Sequence, residues 1–253
     1  ADPVAAFASA LLEEYGDEWG NKWMFHLRWA REVDQLAGAT RIARTLEPDS
    51  GEERHRAIAT QVRERMVGRV GFVGSNAGTA PIIEASFVDA LRLLERHLAA
   101  RPYLFGGRPA FADFGLWAQV RTAFTDPTGY GIIANRTPGV LGWIARMEWP
   151  RAEGPFEDWA SLEPTLGPLL RDEVAARFLP WSLANAAALA AGQEEFTVGL
   201  ADGPWTQAPQ KYHARSLARL RERRLASPAR DQVDAMLARW DCLEPLAKDA
   251  AGT

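Results

Sequence analysis

A stripe of aromatic and polar side chains near the N-terminus is the part of the sequence best suited to contact a ligand. It contains three tryptophans, a tyrosine, a histidine and a lysine at the three- and four-residue spacing of one helix face. Such a face can fill a core, with the lysine and histidine hydrogen-bonded, or it can wall a partly polar cleft. The sequence leaves both interpretations open. The stripe consists of Leu12, Tyr15, Trp19, Lys22, Trp23, His26, Trp29, Ala30 and Val33.

A single carboxylate, Asp113, lies in an otherwise apolar stretch, RPYLFGGRPAFADFGLWAQV. Gly106, Gly107 and Pro109 predict a turn, after which a helix is expected to begin near Ala110. An aspartate three residues past a helix start can accept hydrogen bonds from the free N–H groups of the first turn. We therefore predict that Asp113 is a structural helix cap and takes no part in catalysis.

The sequence shows none of the common arrangements of catalytic groups. It has no Gly-x-Ser-x-Gly elbow, no Rossmann glycine pattern and no cluster of zinc ligands. Glu52 and His55 have the Glu-x-x-His spacing of a helical di-iron site, but that site needs a second copy and two further glutamates. Cys242 stands beside Asp241, whose charge raises a thiol pKa. No metal site and no catalytic residue are predicted.

The composition is that of a mildly acidic globular protein. Of 253 residues, 47% are hydrophobic and 10 are tryptophan, and the formal net charge is −4. This charge argues against general nucleic-acid binding, which normally requires a basic excess. The one cysteine cannot form an internal disulfide, and no apolar run reaches the roughly 18 residues of a membrane span. We expect a cytoplasmic protein that binds neither nucleic acid nor membrane.

Hydrophobic periodicity predicts an all-α fold. Asp2 and Pro3 are suited to begin the first helix, which is expected to run unbroken to Ala37. The stretch TDPTGYG is predicted as a turn, and Pro180 is expected to kink or break a helical segment after Leu179. Helices are predicted at 3–37, 52–67 with Ser50 as its cap, 81–98, 110–124, 138–147, 161–191 with its break, and 211–224, followed by a short helix through Trp240.

Two local patterns add detail to this helical plan. In the helix at 110–124, Phe111, Phe114 and Trp117 share a face with Val120 and Phe124, and this face is expected to enter the core. Near 195–207 the hydrophobic period changes to two around Ala-Asp-Gly, which predicts a small β-hairpin. Because an isolated hairpin is marginally stable, it must lean on the helices.

The segment KYHARSLARLRERR, residues 211–224, is basic and amphipathic. It could contact RNA, an acidic partner or a membrane surface. A solvated helix face is the favoured interpretation, because base-stacking aromatic residues are nearly absent. A structural or regulatory protein that uses this segment for interaction is retained as a minor hypothesis.

The turn and helix around Asp113 resemble a family signature. A Gly-Gly-x-Pro turn followed by x-x-Ala-Asp-Phe is similar to the start of a buried helix in the C-terminal, all-helical domain of glutathione S-transferases. That family usually has Ser or Thr at the cap position, where this chain has Ala110. The missing hydroxyl should weaken the cap by roughly 1 kcal/mol without changing the direction of the turn.

The resemblance covers roughly residues 2–147 and implies a fold and an activity. It implies a helical bundle at 1–155 and a helical extension with a hairpin at 156–253, as in some bacterial relatives. It further implies a homodimer that conjugates glutathione to an apolar electrophile. In the family, glutathione is held mainly by a thioredoxin-like domain, so we expect either a fragment that lacks about 80 residues of such a domain upstream or a naturally shortened relative. The alternative is a non-catalytic module that binds hydrophobic ligands or protein partners.

The family layout and the stripe together give the candidate binding residues. The helical domain would supply the wall of the co-substrate cleft, and the family's activating residue would lie in the upstream domain. Tyr15, Trp19, Trp23 and His26 are expected on this wall, with Trp117 and Arg121 opposite.

Overall fold

A computed structural model describes residues 2–247 and shows an almost entirely helical protein. The helices up to the middle of the chain are α1 (Pro3–Glu14), α2 (Asn21–Trp29), α3 (Glu32–Leu46), α4 (Glu52–Val67), α5 (Ala80–Leu98), α6 (Phe111–Phe124), α7 (Pro127–Arg136) and α8 (Pro138–Met147). The later elements are α9 (Trp159–Leu169), α10 (Leu179–Ala190), β1 (Phe196–Leu200), β2 (Gly203–Gln207), α11 (Lys211–Leu225), α12 (Arg230–Arg239) and α13 (Leu243–Ala247). The predicted all-α class with a hairpin is confirmed.

The first helical run is interrupted, so the prediction of one helix to Ala37 was wrong. Asp2 caps α1 as expected, with its carboxylate accepting from the Val4 N–H at 2.8 Å. A π-helical segment, Tyr15–Gly20, joins α1 to α2. The run then ends because Arg31 takes an extended conformation, with φ −116° and ψ 141°. Helix α3 restarts after it and continues through Gly38, where the sequence had indicated a break.

Helices α7 and α8 begin on carboxylates supplied by distant helices. Asp34 of α3 accepts from the Thr128 backbone N–H at 2.8 Å, and Glu95 of α5 accepts from the N–H groups of Gly139 and Val140, both at 2.9 Å. These contacts satisfy the free donors of a first helical turn. They explain why TDPTGYG enters α7 although its composition predicts a turn.

The cap predicted at Ser50 is absent. Helix α4 has the predicted limits, but Gly51 stands at its cap position, and the Ser50 hydroxyl donates instead to Glu47 at 2.8 Å.

The chain after residue 156 packs into the same core as the chain before it. Helix α9 passes without interruption into a second π-helical segment, Leu170–Phe178, and then into α10, so Pro180 does not break the run. The hairpin pairs Val198 with Trp205 in antiparallel register. One hydrophobic cluster includes side chains from Val4 to Leu246. The division at 155/156 stays a prediction.

Only part of the predicted core face of helix α6 enters the core, where Val120 is buried and Trp117 and Phe124 are half-buried. Ala112, Leu116, Val120 and Ala123 have 0% exposure and pack inward. The phenylalanines at 111 and 114 point outward, with 69% and 46% of their surface exposed. The helix therefore buries its smaller apolar residues and leaves Phe111 and Phe114 open to solvent.

Candidate functional site

The stripe is buried from Leu12 to Trp29, whereas its last two members, Ala30 and Val33, are exposed. Tyr15, Trp19 and Trp23 have exposures of 0–1%. The indole N–H groups of Trp19 and Trp23 both donate to the Ser86 hydroxyl of α5, at 2.8 and 2.9 Å. Tyr15 packs edge-on against Trp23 with ring centroids 5.5 Å apart. A ligand could reach these rings only if the surrounding helices moved.

A buried carboxylate, Glu173, organises the polar groups of the stripe. One of its oxygens accepts from Tyr15 Oη at 2.8 Å and from Ser86 Oγ at 2.6 Å. Its other oxygen pairs with Arg177, whose guanidinium also donates to Asp89 of α5 at 3.0 Å and to Asp202 of the hairpin turn at 2.6 Å. Burial raises the pKa of Glu173 to about 8, against the opposing effect of Arg177 and the two hydroxyl donors.

Lys22 lies inside a cage of tryptophans. Its Nζ is 3.6 Å from the ring centroid of Trp181 and 5.4 Å from that of Trp205, and it donates to the Val73 carbonyl at 3.2 Å. Burial lowers the pKa of Lys22 well below its ordinary value. Since the two cage tryptophans come from α10 and β2, the chain after residue 156 closes over the stripe.

His26, at the end of the stripe, is held between a hydroxyl and a carboxylate. Its Nδ1 lies 2.8 Å from Ser75 Oγ and its Nε2 3.0 Å from Glu84 Oε1, and 2% of the residue is exposed. Burial lowers the pKa of His26 despite the adjacent glutamate, which is shared with Arg31. These partners hold the imidazole in one orientation inside the protein.

Asp113 holds the turn before α6. Its two oxygens accept from the backbone N–H groups of Leu104 and Ala110 and from the Trp143 indole N–H, each at 2.9 Å. Burial raises its pKa to about 6, and the three donors oppose that shift. Ala110 has no side-chain acceptor to return the contact. All three donors belong to the turn and to the packed core, so this geometry suits a helix cap and leaves neither carboxylate oxygen available for catalysis.

Trp117 and Arg121 do not face the stripe across a cleft. The Trp117 indole donates to the Ile144 carbonyl at 3.1 Å, and Arg121 pairs with Glu148 at 2.7 Å. Between them and the stripe, α6 and the first π-helical segment are in backbone contact, since a Cβ on Gly16 would lie 2.7 Å from the Gly115 carbonyl carbon. Trp117 and Arg121 are thus separated from the stripe residues. Contact of either group with a substrate stays a prediction.

An apolar groove, here the phenylalanine groove, opens beside α1 and the start of α6. Its volume is about 820 Å³, which suits a drug-sized ligand. Phe111, Phe114 and Phe156 line it with 45–69% of their surface exposed. Its lining comprises Asp2, Pro3, Ala5, Ala6, Phe7, Ser9, Ala10, Phe105, Pro109, Ala110, Phe111, Phe114, Phe156, Glu157, Arg223, Ala226, Ser227 and Pro228.

The central part of the chain matches a known family. Residues 53–146, from α4 to α8, match the family model described as Glutathione S-transferase, C-terminal domain. The similarity to that family covers this stretch, which is less than half of the chain. No curated protein and no solved structure matches the chain. The matched residues include the Asp113 turn and the outward face of α6, whereas Tyr15 to His26 precede them.

The phenylalanine groove was not predicted from the sequence. Trp117 and Arg121 lie on the same side of α6 as Phe114. The predicted site residues therefore included this helix face, but not its most exposed members, Phe111 and Phe114. The available signal was a second apolar series in the helix, Ala112, Leu116 and Ala123, which competes for the core. Phe156 could not be connected to α6 by spacing, since it comes from a separate loop.

The described residues offer no metal centre and no reactive thiol. Within residues 2–247, no three His, Cys, Asp or Glu side chains are grouped to hold a metal ion. Burial raises the pKa of Cys242, so its thiol stays protonated. None of the helices between these limits is long and apolar enough to cross a membrane. The chemistry that the groove offers is apolar binding.

Proposed function

We propose that this glutathione S-transferase-like protein conjugates glutathione to an apolar electrophile, and that its helical domain walls the electrophile site. The outward face of α6 carries the proposal. Exposing two phenylalanines and adding a third from a neighbouring loop costs hydration free energy, and contiguous apolar surface of this kind marks ligand or partner sites.

Each group has a defined part in this proposal. Phe111, Phe114 and Phe156 contact the apolar body of the electrophile, with Trp117 and Arg121 further along the same helix. Glutathione supplies the thiolate and is held by the thioredoxin-like domain that the family implies. Tyr15, Trp19, Trp23 and His26 support the wall from inside, and their direct contact with substrate would require an opening of the core. We further propose a cytoplasmic homodimer.

The test is glutathione-dependent conjugation of a chlorinated nitrobenzene by the full-length protein. Phe111→Ala should raise KM for the electrophile about fivefold, because it removes roughly 1 kcal/mol of apolar contact. Phe72→Ala is the matched control, since Phe72 is 68% exposed against 69% for Phe111 but lies outside the groove. Equal KM values for the two variants would contradict the placement of the site.

A non-catalytic binding module is the second candidate. It is favoured by the partners of the two carboxylates that line the groove, because Asp2 accepts from the N–H groups of Val4 and Trp159 and Glu157 pairs with Arg101. Saturable binding of apolar ligands that Phe111→Ala weakens, together with no conjugation by the full-length protein, would select this function over the first.

A further inference from the structure

Helix α11 divides its residues between a buried face and an exposed one. Leu217 and Leu220, with exposures of 0–1%, pack into the core. The opposite side carries four exposed residues within an arc of about 100° around the helix axis. These residues, here called the α11 patch, are Lys211, Tyr212, Arg215 and Arg219. The patch follows the family match along the chain, and the proposed conjugation does not use it.

Two cations of the α11 patch have no internal counter-charge. Within residues 2–247, neither Lys211 nor Arg215 forms an ion pair. Arg219 differs, because it pairs with the glutamate three residues further on at 2.8 Å. On the buried side, Arg224 is held by both carboxylate oxygens of Asp234, at 2.6 and 2.8 Å. Unpaired positive charge is therefore concentrated in the first two turns of α11, on a chain whose formal net charge is −4.

An exposed tyrosine lies beside these two cations. Tyr212 has 82% of its surface exposed, and the guanidinium carbon of Arg215 lies 5.9 Å from its ring centroid. Tyrosine and arginine are enriched at the positions that contribute most to protein–protein binding, since each combines apolar contact area with directional hydrogen bonds. The patch thus offers an apolar contact next to two free charges.

The start of α11 is fixed to the body of the protein. Asn185 of α10 accepts from the Gln210 backbone N–H at 2.7 Å and donates to the Gln210 carbonyl at 3.0 Å. His213 is fully buried, with Nε2 2.9 Å from Ser182 Oγ and Nδ1 2.9 Å from Glu18 Oε2. Because these contacts already order the backbone, binding at the patch costs little conformational entropy in α11.

We propose that the α11 patch binds a short acidic segment of a partner protein, with carboxylates at Lys211 and Arg215 and an apolar side chain on Tyr212. In an extended segment, carboxylates at every second residue lie on one side about 7 Å apart, close to the roughly 6 Å rise between residues four apart in a helix. The proposal goes beyond the conjugation proposed above, because none of these three residues lines the phenylalanine groove.

A nucleic acid fits this surface less well. Single-stranded RNA is bound by stacking successive bases on several aromatic side chains along a basic groove. The α11 patch has one aromatic ring, and its third cation, Arg219, is already paired within the helix. The net charge of −4 also disfavours a long polyanion, whereas a short acidic segment contacts the patch alone.

The experiment measures the fluorescence anisotropy of three labelled probes binding to the whole chain. The first is a peptide of alternating Glu and Ser with one central Leu, the second has Gln in place of every Glu, and the third is a single-stranded RNA with the charge of the first. The acidic peptide should bind about tenfold more tightly than the Gln peptide, as two exposed charge pairs predict, and added salt should reduce this difference. RNA binding as tight as that of the acidic peptide would overturn the choice of partner.

Lys211→Gln combined with Arg215→Gln should remove the difference between the two peptides. The matched control combines Arg56→Gln with Arg65→Gln, because both arginines are exposed on α4, neither has an ion pair within residues 2–247, and the change in net charge is the same. Equal weakening by the two double variants would show a general charge effect and refute the site. An acidic peptide that binds no better than the Gln peptide would refute it as well.

Tyr212→Ala tests the apolar part of the proposal. It should weaken both peptides roughly threefold, because the central Leu loses its contact in each. Unchanged binding of both peptides would refute the contact with Tyr212.

Discussion

Two aromatic helix faces of this protein show similar apolar periodicity in the sequence, but in the structure one is buried and the other is exposed. The tryptophan stripe of α1 and α2 is closed by Trp181 and Trp205 and by hydrogen bonds to Ser86 and Glu173. The phenylalanine face of α6 stays open. The difference teaches that helical periodicity identifies an apolar face, while a partner supplied from elsewhere in the chain decides whether that face becomes core or site.

The closed surface should be the more sensitive to mutation, and Glu173→Ala gives the largest expected effect. It leaves Arg177, Tyr15 and Ser86 without their shared acceptor, so we expect a loss of about 3–5 kcal/mol in the free energy of unfolding. Urea denaturation measures it. Asp172→Ala, one residue away on the surface, should cost less than about 0.5 kcal/mol. Similar losses in both variants would mean that the buried network does not hold the stripe closed.

The pH dependence of His26 tests the same closed surface. Its folded pKa is lowered by burial, so its stabilising contribution is complete above its unfolded pKa of about 6.5 and is lost as the pH falls towards the folded value. The difference in unfolding free energy between the wild type and His26→Gln should therefore shrink between about pH 7.5 and pH 5. A difference that grows on acidification would show that the protonated imidazole is the stable form.

Ala110→Ser tests the turn that orients the open face. A serine hydroxyl at this position can accept from the Asp113 N–H and complete the cap, which should add up to about 1 kcal/mol of stability. Ala118→Ser, in the exposed middle of α6, is the control and should be neutral or slightly destabilising. Destabilisation by Ala110→Ser in thermal denaturation would contradict the cap geometry.

The open face should be the least sensitive of all in stability. Phe111→Ala removes a side chain that is 69% exposed, so we expect a change below about 0.5 kcal/mol, close to that of Phe72→Ala. Chemical denaturation of the two variants gives the comparison. A loss above 2 kcal/mol, as for a buried aromatic residue, would place Phe111 in the core and remove the distinction between the two surfaces.

The features predicted correctly from sequence are those that local signals determine. Asp2 and Pro3 cap α1, residues 52–67 form α4, and Ala-Asp-Gly turns the hairpin, because each depends on neighbours within a few residues. The role of Asp113 as a cap agrees with its three donors, two of which lie within nine residues.

The features that were missed depend on distant partners. Helix α7 begins on Asp34, 94 residues away, and Tyr15 of the stripe is hydrogen-bonded to Glu173, 158 residues away. Neither partner leaves a trace in local composition. Spacing alone also could not predict which face of α6 would be buried, because both faces are apolar. The packing against Gly16 selects the smaller residues for the interior.

The two π-helical segments meet each other, since the first begins at Tyr15 and the second contains Glu173, and these side chains are hydrogen-bonded at 2.8 Å. A π-helical turn accommodates one residue more than an α-helical turn, so each segment behaves as an insertion fixed within a helix. Deleting one residue from either would close its wide turn into an α-helical one and displace the Tyr15 or Glu173 side chain from its partner. In evolutionary terms, the two π-helical segments must keep Tyr15 and Glu173 aligned. A change of length in one segment therefore requires a compensating change in the other.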